Sequence, residues 1–276
     1  MSIQRFSQLP CKPNIPVVSG RTEEIAQELL NATVNAQPIP PISERLEDED
    51  LDSAYAIQNH QLQYHLSNGR VLAGRKIGLT SLAMQKQLGV DSPDFGFILK
   101  DMIHHENAEI PTRGFIAPKI EPELGFILRE TLTGPGVTRE QATAAIGEIY
   151  PAIEIIDSRI EDWNINLVDT VADNASCGAI AVGTTPLNIA TDDLQFVACT
   201  LIIDGHPVAS GTGADIMGDP VAPLVWLANL LGERGISLEA GQIILPGSFT
   251  KAMPVIADST AEADFGPLGS LRISFT

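Results

Sequence analysis

Lys119-Ile120-Glu121-Pro122-Glu123-Leu124-Gly125-Phe126 is the stretch whose reading decides the fold. As a strand, its period of two puts Glu121 and Glu123 on one face and Ile120, Leu124 and Phe126 on the other. One face is then core and the other gathers acids. Further on, Pro151-Ala152-Ile153-Glu154-Ile155-Ile156-Asp157 sets Glu154 in an apolar run, where an unpaired carboxylate is costly to bury. Between the two, Thr138-Arg139-Glu140-Gln141 reads as a capping box for a helix through Ala145 and Ile149. That connection is long enough to lay the strands side by side or face to face. The three carboxylates can therefore converge on a cation. An oxygen-only donor set suits magnesium, manganese or calcium better than zinc. A plainer reading stays open, in which Glu121 and Glu123 are solvated acids on an edge strand where Pro122 is tolerated.

Working outward, the 276 residues, 44% hydrophobic, can bury a large core. The formal charge of -18 excludes nucleic acid and anionic membrane as partners, since both need a basic surface. No apolar run approaches the roughly 18 residues of a membrane span, and the N-terminus shows no signal-peptide pattern. The expected location is cytoplasmic. Cys11, Cys177 and Cys199 are widely spaced and odd in number, as reduced thiols are. His104-His105-Glu106 lacks zinc-site spacing. Ser210-Gly211-Thr212-Gly213 through Gly218 misses the spacing of a dinucleotide loop.

Along the chain, residues 1 to 20 read as a proline-rich extended arm. Helices are expected from Thr22, as N-cap, to about Val34, and from Asp50 or Asp52 to Asn68-Gly69. In Val71 to Thr80, read as a strand, Gly74, Lys76 and Gly78 share a face, leaving room for a ligand beside the lysine. A surface charge is the alternative. Thr80 or Ser81 caps a short helix through Met84-Gln85-Lys86-Gln87-Leu88 and Gly89, and Asp94 then falls in a turn-rich loop. Asp157 to Trp163 and Asp169 to Gly178 read as a polar loop lining a site, with Arg159 and Asn174 as donors. Cys177 reads as an inert buried thiol. Asp219-Pro220 opens a helix ending near Gly232, and the C-terminal half is mainly β.

Several separate blocks carry a family resemblance: Gly74-Arg75-Lys76-Ile77-Gly78-Leu79-Thr80, Gly89-Val90-Asp91-Ser92-Pro93-Asp94-Phe95-Gly96, Ile120-Glu121-Pro122-Glu123, Asp157-Ser158-Arg159-Ile160, and Asp169 through Gly178. The chain resembles the 2-hydroxypenta-2,4-dienoate hydratases (2-keto-4-pentenoate hydratases), in the hydratase and decarboxylase branch of the fumarylacetoacetate hydrolase superfamily. The resemblance covers about residues 40 to 276. It implies an α+β fold, with a mixed β-roll core and N-terminal helices. The arm before residue 40 has no clear counterpart in the family, and the expected division is an N-terminal arm and helical region, 1–70, and a catalytic β-rich domain, 71–276. The resemblance further implies a metal triad of Glu121, Glu123 and Glu154 for Mg2+ or Mn2+, an active-site lysine at Lys76 and an acid-base aspartate at Asp94. Ser158, Asn174 and Ser176 are candidate substrate contacts. The implied partners are a small 2-hydroxydienoate or 2-oxo acid substrate, further copies of the chain in an oligomer built from dimers, and other enzymes of the same aromatic meta-cleavage pathway. The implied reaction adds water to the dienol acid through a 2-oxo-3-enoate, giving a 4-hydroxy-2-oxo acid. A 4-oxalocrotonate decarboxylase using the same metal and enolate, and a non-catalytic homologue that scaffolds a pathway enzyme, are the alternatives.

Overall fold

The computed structural model describes residues 20–46, 50–81, 85 and 92–276. The expected arm, Cys11 and the short helix after Ser81 lie outside the described residues, Gln85 apart. Among the described residues five α-helices are present: α1 Gly20–Asn35, α2 Leu51–Ser67, α3 Arg139–Ala145, α4 Leu167–Ala172 and α5 Val221–Glu233. The first strands are β1 Leu72–Gly78, β2 Asp94–Leu99, β3 Ile103–His105, β4 Glu109–Ile110, β5 Lys119–Leu128, β6 Ile146–Ile156 and β7 Cys177–Val182. Then follow β8 Ala198–Ile203, β9 His206–Thr212, β10 Ile243–Leu245, β11 Met253–Pro254, β12 Thr260–Asp264 and β13 Ser270–Phe275. No helix among these residues is long and apolar enough to cross a membrane.

The strands form two mixed sheets. The larger runs β2-β1-β10-β5-β6-β7-β3, with β11 also paired to β5, and the smaller runs β4-β13-β12-β8-β9. β1 is parallel to β10 and β3 to β7, while β5 and β6 are antiparallel. Ile120, Leu124 and Phe126 of β5 and Ile153 and Ile155 of β6 share one core with Leu201, Ala263, Leu271 and Phe275 of the smaller sheet. Burying a side chain such as Phe126 stabilises by about 2 kcal/mol. A one-residue slip of β5 would exchange that face for the acids, so the core pins the register.

The plainer reading of Glu121-Pro122-Glu123 fails here, because β5 is interior, flanked by β6 and by β10 and β11. Pro122 is tolerated for a local reason. β10 meets β5 at Phe126 and Ile127, and β11 meets it at Ile120 and Lys119. Between them the chain asks only for a carbonyl: Pro122 O accepts from Phe249 N at 3.0 Å. The missing N–H would point the same way, into the gap.

The helical layer joins early and late parts of the chain. Ile25, Leu29, Ala54 and Ile57 pack with Val168, Val171 and Ala172 of α4. Thr22 lies buried inside α1 and is not its cap. The α2 cap is as expected, Asp50 accepting from Ser53 N, and the capping box of Thr138 and Gln141 opens α3. Gln58 of α2 donates to Phe95 O at 2.8 Å and Val171 O at 2.9 Å, which fixes the start of β2 against α4. The segment expected to be loop from Asp157 to Gly178 holds α4 and the first residues of β7, because Asn166 caps α4 by accepting from Asp169 N.

Asp169, almost fully buried, accepts from Ile42 N at 2.8 Å, Ser43 N at 2.9 Å and Ser43 Oγ at 2.8 Å. Asp169→Ala strands these donors and should cost about 3 kcal/mol, read as a lower urea midpoint with unchanged slope. A loss below about 1 kcal/mol would show that the clamp adds little to stability.

Candidate active site

Cross-strand pairing assembles the acids. Glu121 stands directly opposite Glu154, and Glu123 opposite Ala152, so all three project from the same face. A carboxylate oxygen from each lies within 4.8 Å of the other two. Glu123 and Glu154 are each about 1% exposed, and Glu121 is partly open to a cavity. Glu123 Oε2 accepts from Gly247 N at 2.8 Å, while neither oxygen of Glu154 has a hydrogen-bond partner.

Lys76 enters from β1. It is 3% exposed, so it is no surface charge, and its Nζ stands 3.3 Å from Glu154 Oε1 without meeting hydrogen-bond geometry. Asp94 is not in a loop; it is the first residue of β2, paired across from Gly78 and buried, with Oδ1 unpartnered. The glycines flanking Lys76 are small for other reasons than ligand space. A Cβ on Gly74 would sit 1.9 Å from Ile243 O of the neighbouring strand. On Gly78 it would sit 2.2 Å from Asp94 Oδ1 and 3.2 Å from Lys76 Nζ. Gly78 therefore lets aspartate and lysine share one corner.

The electrostatics are those of a site with excess negative charge. Burial raises Glu121 to about 7, with Glu154 adding to the shift and Lys76 opposing it. Burial also raises Glu123 well above its ordinary range, reinforced by Glu154 and Glu121. It raises Glu154 and Asp94 as well, against the pull of Lys76 on each. For Lys76, burial acts downward, yet Glu154 and Asp94 outweigh it and the pKa is raised. Cys177 is buried with its thiol pushed well up by burial, which fits an inert side chain. One lysine cannot neutralise three glutamates and an aspartate. Three hard oxygen donors, two of their oxygens without partners, fit a divalent cation.

The cavity, about 270 Å³, is lined by Lys76, Asp94, Glu121, Thr170, Ser176 and Trp163, and by Ser248, Thr250 and Lys251. Of the candidate substrate contacts, Ser176 reaches it. Asn174 and Ser158 do not line it. The Asn174 amide is spent on β2, accepting from Phe97 N at 2.7 Å and donating to Phe97 O at 3.0 Å. Ser158 is buried and its Oγ accepts from Ile160 N at 3.1 Å. Arg159 is also internal, paired with Asp173 and donating to Asp157 O and Asp173 O.

Three further residues matter and had no motif to announce them as contacts. Lys119 Nζ lies 3.8 Å from the centre of the Trp163 ring, a cation-π contact that forms part of the wall. Thr170 hydrogen-bonds Ser176 Oγ at 3.3 Å. Asp162, Trp163, Asn174, Ala175 and Ser176 all have φ near +50° to +56° without being glycine, and three of them line the cavity. Such backbone is costly and concentrates at functional sites. Sequence offers no glycine to flag it.

The family described as fumarylacetoacetate (FAA) hydrolase, C-terminal, matches residues 76–276. A 2-keto-4-pentenoate hydratase of Paraburkholderia xenovorans is 42% identical over 253 residues, 92% of this chain and 94% of that one. A 2-hydroxyhexa-2,4-dienoate hydratase of Comamonas testosteroni is 38% identical, covering 92% and 97%. A solved 4-oxalocrotonate decarboxylase from Pseudomonas putida G7, complexed with magnesium and adipate, has a TM-score of 0.90 at 30% identity and covers 95% of this chain and all of that one.

A raised carboxyl pKa favours the folded state while the group is protonated, so this contribution is lost as pH rises from the unfolded value through the folded one. For Glu121 the loss falls between 4.5 and about 7. A divalent cation needs the carboxylates ionised and reverses the loss. Magnesium or manganese should therefore raise the melting temperature more at about pH 8 than at about pH 5.5, and Glu121→Gln should shrink the gain. Equal gains at both pH values would count against the site.

Proposed function

Because the chain belongs to the fumarylacetoacetate hydrolase family, we propose that it is a divalent-metal-dependent hydratase acting on 2-hydroxypenta-2,4-dienoate or a substituted analogue. The observation that carries this reading is 42% identity to a 2-keto-4-pentenoate hydratase across nearly the whole of both chains. The clustering of Glu123 and Glu154 behind Glu121, Lys76 and Asp94, which line one cavity, supports it independently. The same completeness argues against a non-catalytic scaffold.

In this reading Glu121, Glu123 and Glu154 hold Mg2+ or Mn2+. A cation held there would supply Lewis acidity to the 2-oxo acid end of the substrate and offset the negative charge that develops on the conjugated acid. The residues of the chain do the rest. Lys76, buried and charged, draws the substrate carboxylate into the cavity and orients the acid. Asp94, whose burial favours the protonated form, gives its proton to the distal carbon C5 while the 2-hydroxyl proton leaves to solvent; it then accepts a proton from the water that adds at C4, passes one to C3, and is reprotonated from solvent. Ser176 and Thr170 offer hydroxyls toward that water. Trp163 and Ile165 supply apolar wall against the diene and exclude bulk solvent.

A second reading, a 4-oxalocrotonate decarboxylase, is favoured by one specific observation. Such a substrate carries a second carboxylate needing a cation, and Lys119 and Lys251 line the cavity. The 30% identity to the solved decarboxylase is lower than that to the hydratases, so hydration leads.

With magnesium and 2-hydroxypenta-2,4-dienoate, dienol absorbance should fall and mass analysis should show gain of water; loss of carbon dioxide from 4-oxalocrotonate would favour the second reading. Asp94→Asn should slow turnover by about 100-fold or more while leaving the metal-induced thermal shift intact. Wild-type rates of both ketonisation and hydration in that variant would remove Asp94 from the mechanism.

A further inference from the structure

Strand alternation sends Lys76 into the catalytic cavity and its neighbour Arg75 to the opposite face of β1. Arg75 is 5% exposed, and among the described residues its guanidinium has neither a hydrogen-bond acceptor nor a carboxylate partner. Burial pushes it down to about 10 with no acid opposing the shift. The other buried arginine is treated differently: Arg159 is saturated by Asp173 and by the carbonyls of Asp157 and Asp173. A second cation reaches the region of Arg75. Arg234, at the end of α5, has a buried Nη1 without an acceptor. An aromatic pair links the two. Arg75 lies 5.6 Å from the centre of the Phe95 ring, Phe95 stacks on Tyr55 at 4.7 Å, and Arg234 lies 5.0 Å from the Tyr55 ring. Ring faces offset part of a cation's desolvation, but they accept no N–H in the plane of a guanidinium fork.

Both arginines line a cavity of about 80 Å³, walled by Tyr55, Gln58, Leu62 and Phe95. Its one acidic residue, Asp52, is exposed and forms no ion pair with either arginine. The space holds more than one water, whose share of liquid is about 30 Å³, and suits a single compact anion. We propose that this cavity is an oxyanion site, taking a carboxylate or phosphate group on the reverse side of the strand that carries Lys76. Planar guanidinium forks match such groups with paired, charge-assisted hydrogen bonds. The same chemistry can come from a free small anion or from a carboxylate of a second copy of the chain.

The test uses the magnesium-loaded full chain, titrated with sodium phosphate and, separately, sodium acetate against sodium chloride at equal ionic strength. A free anion gives a saturable rise in melting temperature for wild type, with apparent affinity about tenfold weaker or worse in Arg75→Gln. If the group comes from a second copy, wild type ignores both salts but sediments as an assembly that Arg75→Gln loses at the same concentration. Either result supports the site. Wild type and variant responding alike to both salts and sedimenting alike overturns it. Should Arg75→Gln fail to fold, Arg234→Gln, at a partly exposed position, is read by the same two measurements.

Discussion

Two glutamates held directly across a strand pair repel each other, and the molecule is arranged to make that repulsion permanent. The strands carrying Glu121 and Glu154 cannot move apart, because the flanking residues Ile120, Ile153 and Ile155 are anchored in the core behind. Relief has to arrive from the front. Lys76 supplies part of it from β1, and Gly78 keeps the space that allows Asp94 into the same corner. Fold and site are therefore one arrangement: the pairing that orders the large sheet also sets the charge that the site must neutralise.

Much of this was legible in the chain. Period-two patterning in Ile120 to Phe126 and Ile153 to Ile155 separated core face from acid face, and the capping box at Thr138 and the cap at Asp50 marked where their helices begin. The helix after Thr138 nevertheless stops at Ala145, and Ile149, expected in it, belongs to β6. What could not be read was depth and direction. Asp94 follows Ser92-Pro93, a turn signal, and only pairing with Gly78 shows that the strand begins on it. Pro122 pointed to an edge because sequence cannot show a gap between two partner strands on the same side. Asn174 and Arg159 looked available as donors, yet backbone carbonyls and Asp173 had already claimed them. Polar side chains in a small-residue segment advertise hydrogen bonding without saying with whom.

Buried charge is the recurring cost in this structure, met in two ways. Around Arg159 it is settled internally, with Asp173 raised to about 6 by burial against the pull of the guanidinium. Around the glutamates it is left unsettled, since a site that satisfied its own carboxylates would have nothing to offer a cation. Stability given up at Glu154 is the condition for the cation binding proposed there.

The gap beside Pro122 has an outcome for how such an enzyme can diversify. The segment carrying Ser248, Thr250 and Lys251 docks on β5 where Phe249 N and Ser248 Oγ both reach Pro122 O, and Gly247 N reaches Glu123. The backbone bonds from Phe249 and Gly247 do not depend on what side chains follow. Substitutions at Thr250 or Lys251 can thus reshape the far wall of the cavity while the glutamate strand keeps its register. The shape of that wall and the register of the glutamate strand are physically separable, so a lineage can alter one without disturbing the other.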